Sequence, residues 1–150
     1  MNDEDYLKSR IKQLCESQRL GVLSTQYHGH PYSSLVAFSM AENLEELYFA
    51  TARTTRKFRN LSQDNRVSML IDNRSNDISD FHHAMAVTVL GTATELNGIQ
   101  KEKVKNIHLI KHPYLEDFVS SRSCGLVLIQ VEKYVLVRRF QLVFELHMKK

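Results

Sequence analysis

Short β-type runs separated by turns set the strongest limit on how this chain can fold. Residues 22–27, 32–40, 47–51, 66–71 and 85–95 are rich in β-branched and aromatic side chains, which is the mark of strands. Residues 125–131 and 133–137 read as two closing strands, continued by 142–146. Helical spacing is confined to four places. At 3–19, Leu7, Ile11, Leu14 and Gln18 recur on one face with Cys15 beside them, and Asp3 or Asp5 can cap the start. A short helix follows Thr54 or Thr55, a helical turn spans 78–83, and Asn97 can cap a helix running to Lys111, where Pro113 ends it. Ile99, Ile107, Leu109 and Ile110 supply the apolar surface of that last helix, and Lys101, Lys103 and Lys105 its solvated face. Gly21 breaks the first helical pattern, residues 28–31 and 41–46 form turns, and 72–77 a polar loop. Gly91, inside the longest strand, predicts a bulge or bend. No βαβ rhythm is present. The pattern predicts a mainly β fold, an antiparallel split β-barrel with peripheral helices. It forms one domain over 1–150, with a helix at 3–19 and the barrel at about 20–147.

Composition narrows the function classes. The chain has 150 residues, 43% of them hydrophobic, and a formal charge of +3. That is an ordinary globular protein which tolerates an anionic partner without requiring nucleic acid. No apolar run is long enough to span a bilayer, and the acidic start lacks an apolar signal core, so a cytoplasmic protein is expected. Cys15 and Cys124 lie far apart in apolar surroundings, which predicts buried free thiols in a reducing compartment.

Residues 51–61, TARTTRKFRNL, stand out chemically. A threonine cap places Phe58 and Leu61 on one face and puts Arg56 and Lys57 in the first helical turn. Cations are disfavoured there, because the helix dipole is positive at that end and free N–H groups point outward. Hydroxyls, free amides and two cations together suit a bound phosphate. A solvated basic turn is the competing explanation, and the residues alone leave both open. Along 32–40, Ser33, Leu35, Ala37 and Ser39 face one way and Ser34, Val36, Phe38 and Met40 the other. Neither face is strictly apolar, so the strand leaves room for a ligand or is a lightly polar barrel wall. His28-x-His30 and His82-His83 match no standard zinc spacing and read as loop histidines. No arrangement for nucleophilic catalysis is visible.

Pro31 leads into SSLVAF, then LYFAT, TRK with Asn60-Leu61, NRVSMLI and VLGTA. The order of these motifs over residues 20–140 resembles the pyridoxamine 5′-phosphate oxidase-like family of FMN-binding split β-barrels. The resemblance implies a homodimer with two FMN molecules at the subunit interface. It implies that Ser33, Ser34, Leu35 and Val36 line the flavin and that Thr51 contacts it. It also implies that Thr55, Arg56 and Lys57 hold the phosphate, with Arg53 and Ser39 nearby. Arg138, Arg139 and Gln141 fall in the region that the partner subunit usually contributes. Two departures bear on activity. Ser39 stands where the oxidase carries a lysine, and 137–142 lacks its Arg-x-His pattern. The implied protein is therefore a small flavin-dependent oxidoreductase rather than a pyridoxamine phosphate oxidase.

That oxidoreductase would use a reduced nicotinamide or another small molecule as electron donor, with a small-molecule acceptor. A flavin-binding sensor without turnover is the nearest alternative. The same barrel type could instead hold deazaflavin or haem, His147 being the candidate for haem. A basic barrel bearing Tyr27, Tyr32, Tyr48 and Phe49 could also stack single-stranded nucleic acid. The clustering of cations at one helix start speaks against a nucleic-acid groove.

Overall fold

The computed structural model describes residues 2–148. Seven strands build it: β1 (Leu20–Tyr27), β2 (His30–Met40), β3 (Glu46–Ala52), β4 (Arg66–Asp72), β5 (Met85–Glu95), β6 (Cys124–Arg138) and β7 (Leu142–His147). They run in the sheet order β3-β2-β1-β4-β5-β6-β7, and β3 also pairs with β6. This extra pairing closes six antiparallel strands into a barrel and leaves β7 outside it. The core holds Leu23, Phe38, Leu47, Phe49, Met69 and Ile71, all fully buried.

β6 is one strand, not the two expected from 125–131 and 133–137. Along one side it pairs with β5 from Val127 to its end; along the other, its first half pairs with β3 and its second half with β7. The polar pair Glu132-Lys133 resembles a turn in the sequence. In the fold Glu132 is the extra residue of a bulge, because Gly91 lies opposite Val131 while Leu90 lies opposite Lys133. A Cβ on Gly91 would stand 2.2 Å from the Gln130 carbonyl oxygen. Gly91→Ala should therefore destabilise the protein by about 2 kcal/mol through overpacking, measured by urea unfolding; an unchanged midpoint would show that the β5–β6 bulge yields freely.

β1 and β2 form a hairpin through His28 and Gly29, whose φ values of 50° and 82° suit the right-handed twist of a two-residue turn. β2 begins at His30 rather than after Pro31. Pro31 is accommodated because β2 has a strand on only one side there. Gly21 lies past the end of α1 and inside β1, where a Cβ would meet Met69 Sδ at 2.9 Å.

The helices are α1 (Asp3–Ser17), α2 (Arg56–Gln63), α3 (Asp80–His83), α4 (Gly98–Lys111) and α5 (Glu116–Ser120), with a 3₁₀ turn at Pro113–Leu115 before α5. α5 was not expected from the sequence. α1 is capped by Asn2, not by Asp3 or Asp5: the Asn2 side chain accepts from Asp5 N–H at 2.7 Å. α4 is rotated relative to its expected packing. It buries Val104 and His108, while Ile99 and Ile110 are 84% and 83% exposed. The cause is the surface it meets on β2, where the Ser39 hydroxyl and the Phe38 carbonyl bond imidazoles. Asn97 stands at the N-cap position of α4 without a side-chain cap bond. Cys15 and Cys124 are buried and free. No helix among the described residues is long and apolar enough to cross a membrane.

Candidate functional site

The barrel is split between β2 and β3. Their pairing is limited to Phe38↔Phe49, Ser39↔Tyr48 and Met40↔Leu47. Beyond these, Ala50–Ala52 stay with β6 and lead into α2, so residues 30–37 of β2 have β1 on one side and no strand on the other. Backbone donors and acceptors along an open edge need partners. The Ser34 hydroxyl is also buried without a hydrogen-bond partner among the described residues. Ser33 and Leu35 face outward and are exposed, whereas Val36 points into the core.

The start of α2 lies across this opening. Thr55 caps the helix, its Oγ1 accepting from Phe58 N–H at 3.3 Å and lying 2.9 Å from the hydroxyl of buried Thr51. Phe58 and Leu61 turn into the core, and buried Asn60 donates to Thr25 Oγ1 at 3.1 Å, which fixes the helix against β1. The first turn carries no acidic residue. Among the described residues, neither Arg56 nor Lys57 forms an ion pair, and their backbone N–H groups find no acceptor. Arg56 lies over the Tyr32 ring, 5.4 Å from its centroid, and so joins α2 to the open half of β2.

The fold thus gathers Thr51, Thr55, Arg56 and Lys57 opposite the edge that carries Ser33, Ser34, Leu35 and Val36. Arg53 is engaged differently. Its guanidinium holds Glu95 at 2.7 Å and donates to the Arg122 carbonyl at 2.6 Å, bracing the end of β5. Ser39 is buried under α4 and bonds His108 Nδ1 at 2.7 Å. Arg138, Arg139 and Gln141 lie at the β6–β7 turn, beside Met85 at the opposite end of β5 from Glu95. Within one chain they do not meet α2. His28 stacks edge-on against Tyr27, and His147 lies 3.2 Å from Glu145. Among the described residues no three His, Cys, Asp or Glu side chains are placed to share a metal ion.

Sequence reasoning overlooked Arg59 and read His30 as a loop histidine; together with Tyr27, Tyr32 and Arg56 they line a cavity of about 390 Å³ beside the helix start. The signal was present: Arg59 follows Arg56 by three residues and so shares its face of the helix.

The sequence profile of the pyridoxamine 5′-phosphate oxidase family matches residues 7–122. The chain belongs to that family. The matched region contains β2, β3 and α2, both banks of the split, and ends before β6. Solved structures share the fold at low identity. A haem-binding protein from Mycobacterium smegmatis superposes with a TM-score of 0.83 at 17% identity, over 93% of this chain and 57% of that one. General stress protein 26 from Bacillus anthracis gives 0.74 at 22%, over 95% and 99%. A FAD-binding protein from Mesorhizobium loti gives 0.67 at 17%, over 85% and 90%. This chain therefore spans little more than half of the haem-binding protein and nearly all of the stress protein. No curated protein matches it in sequence.

Proposed function

We propose that the split holds a flavin, FMN in its simplest form, and that the protein is a flavin-dependent oxidoreductase. One observation carries this: two cations and two backbone N–H groups without partners among the described residues, with a threonine cap, converge on the start of α2, facing an open strand edge. An anion is the natural partner for that set. Arg56 and Lys57 would pair with the flavin phosphate, and Thr55 and Thr51 would orient its oxygens. The β2 edge with the Ser34 hydroxyl would supply hydrogen bonds along the ring. Arg53 would act indirectly, by holding the loop that follows β3. A flavin seated there supplies two-electron transfer between a reduced nicotinamide or similar donor and a small acceptor. Family membership and a FAD-binding structural neighbour support the flavin.

The site would be completed by a second copy. The outer barrel face carries a continuous row across the sheet, from Leu35 through Val22, Leu70 and Thr88 to Val135. Leu35 is 66% exposed, and Ile78, Phe81 and Phe140 extend the apolar surface. A patch of that kind on a small protein calls for a cover, and a homodimer supplies one. The turn at Arg138–Gln141 would then reach the partner's flavin. The buried free thiols Cys15 and Cys124 fit a reducing cytoplasm.

The test is a visible absorption spectrum taken after FMN is added and the excess removed, together with sedimentation of the same sample. About one flavin per chain, on a particle of twice the 17.4 kDa chain mass, is expected. Folded protein that retains no flavin would overturn the proposal. Turnover with a reduced nicotinamide then separates an enzyme from a flavin sensor.

A further inference from the structure

We infer that the cavity beside the phosphate clamp receives an adenosine phosphate, brought either as the ADP half of FAD or as a separate adenine nucleotide. The inference rests on the flavin proposal and extends it past the flavin phosphate. Arg56 and Arg59 lie one helical turn apart on α2, and neither is ion-paired among the described residues. Asp64, just past the same helix, is already neutralised by Arg66 at 2.6 Å. His30 adds a third basic group to the lining. Guanidinium groups recognise phosphate oxygens in a planar, two-pronged geometry that lysine cannot offer.

The other walls are aromatic. Tyr27 and Tyr32 come from the two arms of the β1–β2 hairpin, and the Tyr32 ring already carries the Arg56 guanidinium on its face. Stacked rings and guanidinium planes are suited to a nucleobase. At about 390 Å³ the cavity lies at the small end of ligand sites, the size of one nucleotide rather than two. Arg56 belongs to both this cavity and the flavin-phosphate clamp. A phosphate bound by Arg59 would therefore lie next to the flavin phosphate, as in a pyrophosphate.

Flavin fluorescence titrations with FMN and FAD, and a calorimetric titration with AMP in the presence of FMN, test this on the wild type and on Arg59→Ala and Arg59→Glu. Arg59 is exposed and outside the core, so both variants should fold, as melting curves would verify. For the FAD source, wild-type protein should bind FAD about tenfold tighter than FMN, and Arg59→Ala should erase that margin while leaving FMN within about twofold. For a separate nucleotide, FMN and FAD should bind equally and AMP should bind the FMN complex in an Arg59-dependent way. FMN binding without either effect would overturn this inference and leave the flavin proposal standing. Failure of both flavins would overturn the flavin proposal and this inference with it.

Discussion

Replacing Arg56 and Lys57 together by alanine should lower flavin affinity roughly 10²- to 10⁴-fold without unfolding the protein. Each side chain stands to make a charge-assisted bond to phosphate, and such bonds contribute about 1.5–3 kcal/mol each. Neither residue fills the core: Arg56 is exposed, Lys57 half-buried, and α2 is anchored instead by Phe58, Asn60 and Leu61. The stability of the flavin-free protein should move the other way. Two cations in a first helical turn oppose the dipole at about 0.3–1 kcal/mol each, so the double variant should melt slightly higher than wild type without ligand. This opposite pair of responses is hard to mimic. A solvated basic turn would give the small rise in melting temperature with no loss of binding. A structural role would lower both. Fluorescence quenching of FMN and thermal melts of the flavin-free proteins report the two quantities, and an unchanged FMN affinity would place the phosphate elsewhere.

The local determinants of this site were legible in the sequence because they act over a few residues. A threonine followed by Arg-Lys and an apolar i, i+3 pair specifies a capped helix with cations at its start whatever surrounds it. The hairpin at His28-Gly29 and the bulge at Gly91 are equally local. What the sequence concealed depends on partners distant in the chain. Glu132-Lys133 reads as a break in β6 until Gly91 is brought opposite and absorbs the extra residue as a bulge. Arg53 reads only as a candidate beside the phosphate clamp, because its partner Glu95 lies 42 positions away and only the fold brings it to the guanidinium. The face of α4 was misjudged for the same reason. Apolar spacing favours Ile99 and Ile110, but the β2 surface offers a hydroxyl and a carbonyl, and the helix turns its histidines toward them.

That rotation has a measurable consequence: the protein should lose roughly 2–3 kcal/mol of stability between pH 7.5 and 4.5 through His108. His108 is fully buried, bonded at Nδ1 to Ser39, with its Nε2 lacking a partner. Protonation would place a second N–H where nothing accepts it. His112, on the next turn, bonds the Phe38 carbonyl at 2.8 Å, with the two rings 4.9 Å apart. Burial, then His112 and Lys111, hold His108 down to about 4. Burial lowers His112 as well, against the pull of the Phe38 carbonyl and with Lys111 and Arg19 reinforcing it. An unfolded histidine takes up its proton near 6.5. As the pH falls, the unfolded chain therefore gains protons before the fold does, and stability declines from about 6.5 until it levels near 4. Lys111, lowered by burial to about 8, stays charged through this window, and Cys15, raised by burial to about 12, stays a thiol; His112 is present in both proteins compared below. Urea unfolding of wild type and His108→Gln at both pH values isolates the effect, because glutamine can still bond Ser39 and the carboxylates titrate alike in both proteins. The wild type should lose roughly 2–3 kcal/mol more than the variant. Equal losses would mean that α4 lets His108 reach its proton without leaving β2.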